Sequence, residues 1–249
     1  MEILLIGAGN MGGALLAGWG SEHDVLVIES NAARREALAL KGAKFADNMN
    51  AAKNRVVVLA VKPQSLDSVR INVKAEAIVS IMAGVPLQTL RERFDANHFA
   101  RVMPNLAAMN MASATAVTGD RAFKERALEL FNVVGKSVWL ENEKDLAIAT
   151  ALSGSGPGYL AVIAEAMANA AVRLGMQNKD AHNLTKALFA GMPYLLEAEH
   201  PALLKERVCS PGGTTAAGIA ALEKNGVRHA INEAIKAAFE QSEKMMKKL

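Results

Sequence analysis

The sequence predicts an α/β protein in two parts: a doubly wound, mostly parallel sheet, followed by an all-helical region. Three observations predict it. Over the first half of the chain, short runs rich in Val, Ile and Leu alternate with stretches of helical spacing. A glycine-rich turn follows the first of those runs directly. Beyond about residue 145 the strand-like runs stop and alanine-rich helical patterns take over. The expected division is residues 1–147 and residues 148–249.

Each element has its reason. Runs 3–6, 25–28, 56–61 and 77–82 are apolar at successive positions, which suits strands buried on both faces of a parallel sheet. Between them, 11–19, 32–41 and 64–70 carry helical spacing, and Pro86 is placed to open a helix over 86–94, since proline is tolerated in a first turn. Stretches 99–103, 114–117 and 137–140 are further strand candidates. Strands alternating with helices make βαβ units. After Asp145, helices are predicted over 159–174, 179–199, 202–207, 214–224 and 228–248, broken at Gly175, Pro201, Pro211-Gly212-Gly213 and Gly226. Ala161, Ala164, Ala166, Ala168, Ala170 and Ala171 leave little bulk on one helix, so close helix approach in an intertwined dimer is expected over a packed monomer.

Composition narrows the function classes. The chain has 249 residues, a formal charge of +3 and 4% aromatic residues. Few aromatics leave few stacking platforms for single-stranded nucleic acid, and the basic cluster Lys244, Lys247 and Lys248 reads as a solvated helix end. No uninterrupted apolar run of about 18–20 residues suggests a membrane span, so neither nucleic acid nor membrane is expected as a partner. The acidic start gives no sign of a secretion signal. With Cys209 alone, no internal disulfide forms, and a cytoplasmic location is expected. No metal-ligand spacing is present, so no metal is expected.

Gly7-Ala8-Gly9-Asn10-Met11-Gly12 fits G-x-G-x-x-G after a strand and at the opening of a helix, the context of a Rossmann-type dinucleotide site. Gly7 permits the turn, Gly9 lets backbone approach a pyrophosphate, and Gly12 lets helix pack on strand. Glu29 lies where an acid grips the ribose 2′-hydroxyl of NAD, yet Ser30, Asn31, Arg34 and Arg35 follow it and suit a 2′-phosphate, so NAD and NADP both stay open on residues alone. Val61 and Lys62 end a buried strand, Pro63 turns the chain sharply, and Ser80 to Val85 repeat the pattern one strand on, with small residues that leave room for a flat nicotinamide ring.

Three later segments stand out: RVMPN at 101–105, TALSGSGP at 150–157 and SPGGTTAAG at 210–218. In the last, Pro-Gly-Gly makes a turn and Thr214-Thr215 begin a helix. The N–H groups of Gly213, Thr214 and Thr215 can form a nest for a carboxylate, with the hydroxyls of Ser210 and Thr215 beside them. An ordinary helix start with a Ser N-cap is the competing reading. His98, His182, His200 and His229 read as surface residues, and Cys209 as a packing residue.

Together with LAVKPQ at 59–64 and SIMAGV at 80–85, these motifs make the chain resemble the pyrroline-5-carboxylate reductase family from residue 1 to about 240. The resemblance implies reduction of 1-pyrroline-5-carboxylate to L-proline, NADP(H) as the preferred cofactor with NAD(H) also admitted, and a helical dimerisation domain. It implies a homodimer that can assemble into rings such as a decamer, with the SPGGTT loop serving the partner's cofactor. Carried over by motif, Gly7, Ala8, Gly9, Asn10 and Met11 hold the diphosphate, and Asn48 lies near the adenosine ribose. Ser30, Asn31 and Arg34 face the 2′-phosphate. Ala60, Val61, Lys62, Pro63, Ala83 and Gly84 flank the nicotinamide half. Ser210, Gly213, Thr214 and Thr215 hold the substrate, with Thr215 as the catalytic hydroxyl. Glu29 departs from the hydroxyl or amide usual in the family. Two rivals are a 3-hydroxyacid dehydrogenase of the same plan and a non-catalytic dinucleotide sensor. The first needs a basic side chain on the long helix after the sheet domain, and residues 158–172 contain no lysine.

Overall fold

The computed structural model describes residues 1–20 and 22–246; Ser21 and the end of the chain from Lys247, including the last two predicted helical positions and part of the basic cluster, lie outside the described residues. The described elements of the sheet region are β1 (Glu2–Ile6), α1 (Asn10–Trp19), β2 (Asp24–Ile28), α2 (Ala32–Ala39), β3 (Lys44–Phe45), β4 (Val56–Leu59), β5 (Ala75–Ser80), α3 (Leu87–Arg93), β6 (Ala96–Met103), β7 (Ser113–Gly119), α4 (Lys124–Asn132) and β8 (Gly135–Trp139). The strands form one sheet in the order β3-β2-β1-β4-β5-β6-β7-β8. Neighbours are parallel except β6 and β7, which pair antiparallel.

Successive side chains of a strand point to opposite faces, and here both faces are covered. Ile3, Leu5, Val56 and Val58 enter one apolar cluster; Leu4, Ile6, Val57 and Leu59 enter the other. Each such side chain contributes about 1.5–3 kcal/mol on full burial, which explains the unbroken apolar runs. On the first face Trp19 is fully buried and its Nε1 donates to the Leu130 carbonyl at 2.8 Å, tying α1 to α4.

Several expectations need correction. β4 stops at Leu59 and β5 at Ser80, so Ala60, Val61, Ile81 and Met82 lie beyond the strands. Apolar runs continue past a sheet edge when the following turn is itself packed. The helix predicted over 64–70 is a 3₁₀ helix, Pro63–Ser68, opened by Pro63. Pro86 is the N-cap of α3 rather than its first residue. His98 sits within β6, stacked on Phe123 with ring centroids 5.6 Å apart, rather than ahead of the strand on the surface. β3 and α4 carried too short or too polar a pattern to be predicted.

Continuous helix follows β8: α5 (Asp145–Ala149), a π-helical turn over Thr150–Gly154, then α6 (Gly156–Arg173). Compactness divides the chain so that the sheet unit runs past residue 147 to Pro157 and includes the stretch from Ala237, while Gly158–Lys236 form the second unit. The reason at residue 147 is packing: Leu146 joins Met103 and Ala116 in a small apolar cluster on the sheet unit. The remaining helices are α7 (Asn178–Ala198), α8 (Pro201–Val208), α9 (Thr214–Lys224) and α10 (Val227–Met246). Gly175 and Gly226 turn the chain at φ +102° and +70°, where only glycine is comfortable. The stretch Asp145–Arg173 is long and apolar enough, by length and composition, to cross a membrane, a property shared with core helices of soluble proteins. On α6 only Ala168 is buried, on α7 only Ala181, and on α9 and α10 nothing among the described residues. Leu160, Val162, Leu184, Leu188 and Tyr194 are exposed.

Candidate active site

The glycine loop sits on the C-terminal edge of the sheet, where α/β proteins bind ligands. Gly9 is the N-cap of α1 and brings no side-chain cap. The first N–H groups of a helix lack intrahelical acceptors, so they point from this end with the positive end of the helix dipole. The glycines are needed for different reasons. Gly7 has φ +89°, and a Cβ on it would lie 2.8 Å from the Ala60 carbonyl oxygen. A Cβ on Gly12 would lie 2.3 Å from the Gly7 carbonyl oxygen, so this position packs helix on strand. A Cβ on Gly9 would meet nothing within 4 Å. That open space over bare N–H groups fits a diphosphate.

A cleft of about 690 Å³ runs along this edge. Gly7 and Gly9 line it from the loop, Asn10 and Met11 from the first turn of α1, Ser30 from the β2–α2 turn, Arg34 from α2, and Ala60, Val61 and Lys62 from the stretch after β4. Lys62 is exposed, and no carboxylate among the described residues pairs with it. The other expected residues also make contacts within the scaffold. Ala8 is buried and its N–H is taken by Glu29. Asn31 caps α2 by accepting the Arg34 N–H, and Asn48 caps a 3₁₀ turn by accepting the Asn50 N–H. Pro63 opens its own 3₁₀ turn. Ala83 and Gly84 belong to the turn after β5, with Ala83 packed on the Met103, Ala116 and Leu146 cluster. Met49, Ser65, Ser68 and Val69 also line the cleft. In the sequence the two serines show only as hydroxyls three apart in a stretch of helical spacing.

Glu29 is the largest departure from the sequence reading. Its carboxylate is not free at the cleft wall but 8% exposed and fully engaged. Oε2 accepts from the Ala8 N–H at 2.8 Å and from Arg34 Nη1 at 3.2 Å; Oε1 accepts from the Asn31 N–H at 2.8 Å. Burial alone would push its pKa up, but the N–H groups of Asn31 and Ala8 and the Arg34 guanidinium outweigh burial and hold it below the usual 4.5. Glu29 thus braces the glycine loop against the start of α2, and Arg34 is both its partner and part of the cleft wall.

The second glycine-rich loop lies at the start of α9. Gly212 turns at φ +69°, and Gly213 is the N-cap, again without a side-chain cap. Ser210 therefore does not cap the helix. The Gly213 N–H donates to the Ser210 carbonyl at 3.0 Å, so it is taken by the turn rather than offered to a ligand. That leaves the first-turn N–H groups of Thr214 and Thr215 without intrahelical acceptors, fewer than the three expected. Among the described residues no cluster of His, Cys, Asp or Glu could hold a metal ion.

These features define a Rossmann-type dinucleotide-binding oxidoreductase with a helical C-terminal region. Residues 2–84 match the family described as NADP oxidoreductase coenzyme F420-dependent, and residues 143–245 match the pyrroline-5-carboxylate reductase dimerisation family. Pyrroline-5-carboxylate reductase of Synechocystis sp. is 37% identical over 100% of this chain and 99% of its own. That of Methanosarcina acetivorans is 37% identical over 99% of this chain and 98% of its own. The solved pyrroline-5-carboxylate reductase of Coxiella burnetii superposes with a TM-score of 0.88 at 28% identity, covering 98% of this chain and 97% of its own. The chain belongs to the pyrroline-5-carboxylate reductase family and is an NAD(P)H-dependent oxidoreductase with a dimerisation domain.

Proposed function

We propose that the chain reduces the C=N bond of 1-pyrroline-5-carboxylate to give L-proline, the last step of proline biosynthesis, with NADPH preferred over NADH. One observation carries this reading: two helix N-termini, α1 and α9, are each opened by a glycine and left without a side-chain cap. One suits a diphosphate and the other a small carboxylate. When bound, the reduced nicotinamide supplies hydride to the ring carbon. The residues of this chain bind and orient, the loop at the start of α9 serving the partner's cofactor in the dimer. Gly7, Gly9, Asn10 and Met11 cradle the diphosphate; Ala60 to Lys62, with Ala83 and Gly84, flank the ring. Thr214 and Thr215 N–H groups receive the substrate carboxylate, the Ser210 hydroxyl adds a hydrogen bond, and Gly213 shapes the turn. The Thr215 hydroxyl orients the ring nitrogen, which enters already protonated, so no general acid is needed. Orientation in such a site lowers a barrier by about 7–11 kcal/mol at best.

The chain acts as a homodimer through α6 to α10, and dimers can join into rings such as a decamer. The support is physical: apolar helix faces left uncovered mark an interaction surface. A monomer in equilibrium sedimentation at micromolar concentration refutes the dimer. The single cysteine supports a cytoplasmic location. The decisive assay follows nicotinamide absorbance with purified protein, each cofactor, and the five- and six-membered cyclic imino acids. Tight cofactor binding without turnover on either imine would leave a dinucleotide sensor instead.

A further inference from the structure

Arg101 is buried in β6, with 4% of its side chain exposed, opposite Ser80 in the β5–β6 ladder. Its Nη1 donates to Glu143 Oε1 at 2.8 Å, and its buried Nε has no partner among the described residues. The same Glu143 oxygen accepts the Leu87 N–H at 2.7 Å. Leu87 is the first residue of α3, whose N-cap Pro86 has no side-chain acceptor to offer, so Glu143 supplies what the helix start lacks. At the front of the same loop the Ser80 hydroxyl accepts the Met82 N–H at 3.2 Å. The turn carrying Ala83 and Gly84 is therefore tied at both ends to the one ladder rung.

We propose that Arg101 and Glu143 are positioning residues that fix the 80–87 turn, and through it the floor beneath the nicotinamide ring. The proposal rests on the reading above that Ala83 and Gly84 flank that ring. An ion pair whose arginine is buried is weak as a source of stability, because apolar residues of like size serve as well. An apolar pair could not, however, hold the Leu87 N–H. The pair's specific contribution is the place of the turn, and a misplacement of about 1 Å near reacting groups costs up to about a hundredfold in rate.

The test uses full-length enzyme with NADPH and 1-pyrroline-5-carboxylate. Glu143→Leu, which removes the shared acceptor oxygen, should lower kcat about tenfold or more while the NADPH dissociation constant, read by fluorescence, stays within about twofold. It also strands a buried guanidinium, so the apolar double variant Arg101→Met with Glu143→Leu separates folding from positioning. The expected result is a melting temperature restored toward the parent with kcat still low. Recovery of kcat together with melting temperature would overturn the proposal, leaving the pair merely structural. Ala83→Val distinguishes the two readings. If it blocks turnover while the double variant turns over normally, the ring placement stands and the clamp fails. If it is silent, the ring lies elsewhere and the clamp falls with it.

Discussion

Replacing Glu29 by glutamine tests the link between the glycine loop and the cofactor-selecting turn. The carboxylate offers an oxygen to each of two backbone donors, the Ala8 and Asn31 N–H groups, and shares one oxygen with Arg34. Glutamine offers a single acceptor oxygen, so one N–H meets an NH₂ group and loses its partner, which costs about 1–3 kcal/mol. The Arg34 side chain is 46% exposed, and a pair that open to solvent contributes at most about 1 kcal/mol. The sum is about 1–4 kcal/mol, or a drop in Tm of about 2–16 °C for a chain of this size. The pH dependence has a definite sign. The folded pKa of Glu29 lies below 4.5, so its contribution is full above the unfolded value and is lost as pH falls through the folded one. Glu29→Gln should therefore lower Tm near neutrality and flatten the acid limb of the Tm profile. It should also release Arg34 toward a 2′-phosphate, lowering the KM for NADPH relative to NADH. Calorimetry across pH and parallel kinetics with both cofactors read all three. A neutral-pH Tm within about 1 °C of the parent, or an acid limb as steep, would refute the bracing argument.

Three further outcomes are expected. Thr215→Ala should slow turnover up to about tenfold, the worth of one neutral hydrogen bond of about 0.5–1.5 kcal/mol; steady-state kinetics unchanged on the imine would remove the hydroxyl from the reaction. Arg34→Ala and Ser30→Ala should each raise the KM for NADPH more than for NADH, and equal effects on both cofactors would mean that neither side chain meets the 2′-phosphate. Gly12→Ala forces a Cβ to within 2.3 Å of the Gly7 carbonyl oxygen, so it should open the loop at a cost of about 1–3 kcal/mol and weaken both cofactors alike in fluorescence titration; parent-like binding would show that the loop yields freely.

Much of the site could be read before any coordinates because its chemistry is backbone chemistry. Gly9 and Gly213 act through what they lack, and a missing side chain is as plain in a sequence as in a fold. The same holds for the sheet: Ile3 to Ile6 and Val56 to Leu59 are apolar without interruption because both faces are covered. Less was legible where a polar residue's partner lies far along the chain. Arg101 and Glu143 belong to separate stretches, and nothing local in either announces the ion pair. Ser65 and Ser68 carry no signal in the sequence because a short 3₁₀ turn has no spacing of its own.

Pattern and glycine placement by themselves determined the doubly wound sheet, the two glycine-opened helix ends and the family resemblance, since these follow from side-chain periodicity and from main-chain freedom at single positions. Only the tertiary structure decided what Glu29 does. An acid at the end of β2 can face a ribose or turn inward, and the choice depends on whether unpaired N–H groups lie within reach. Ala8, brought from the other side of α1 by the parallel pairing of β1 with β2, supplies one of them.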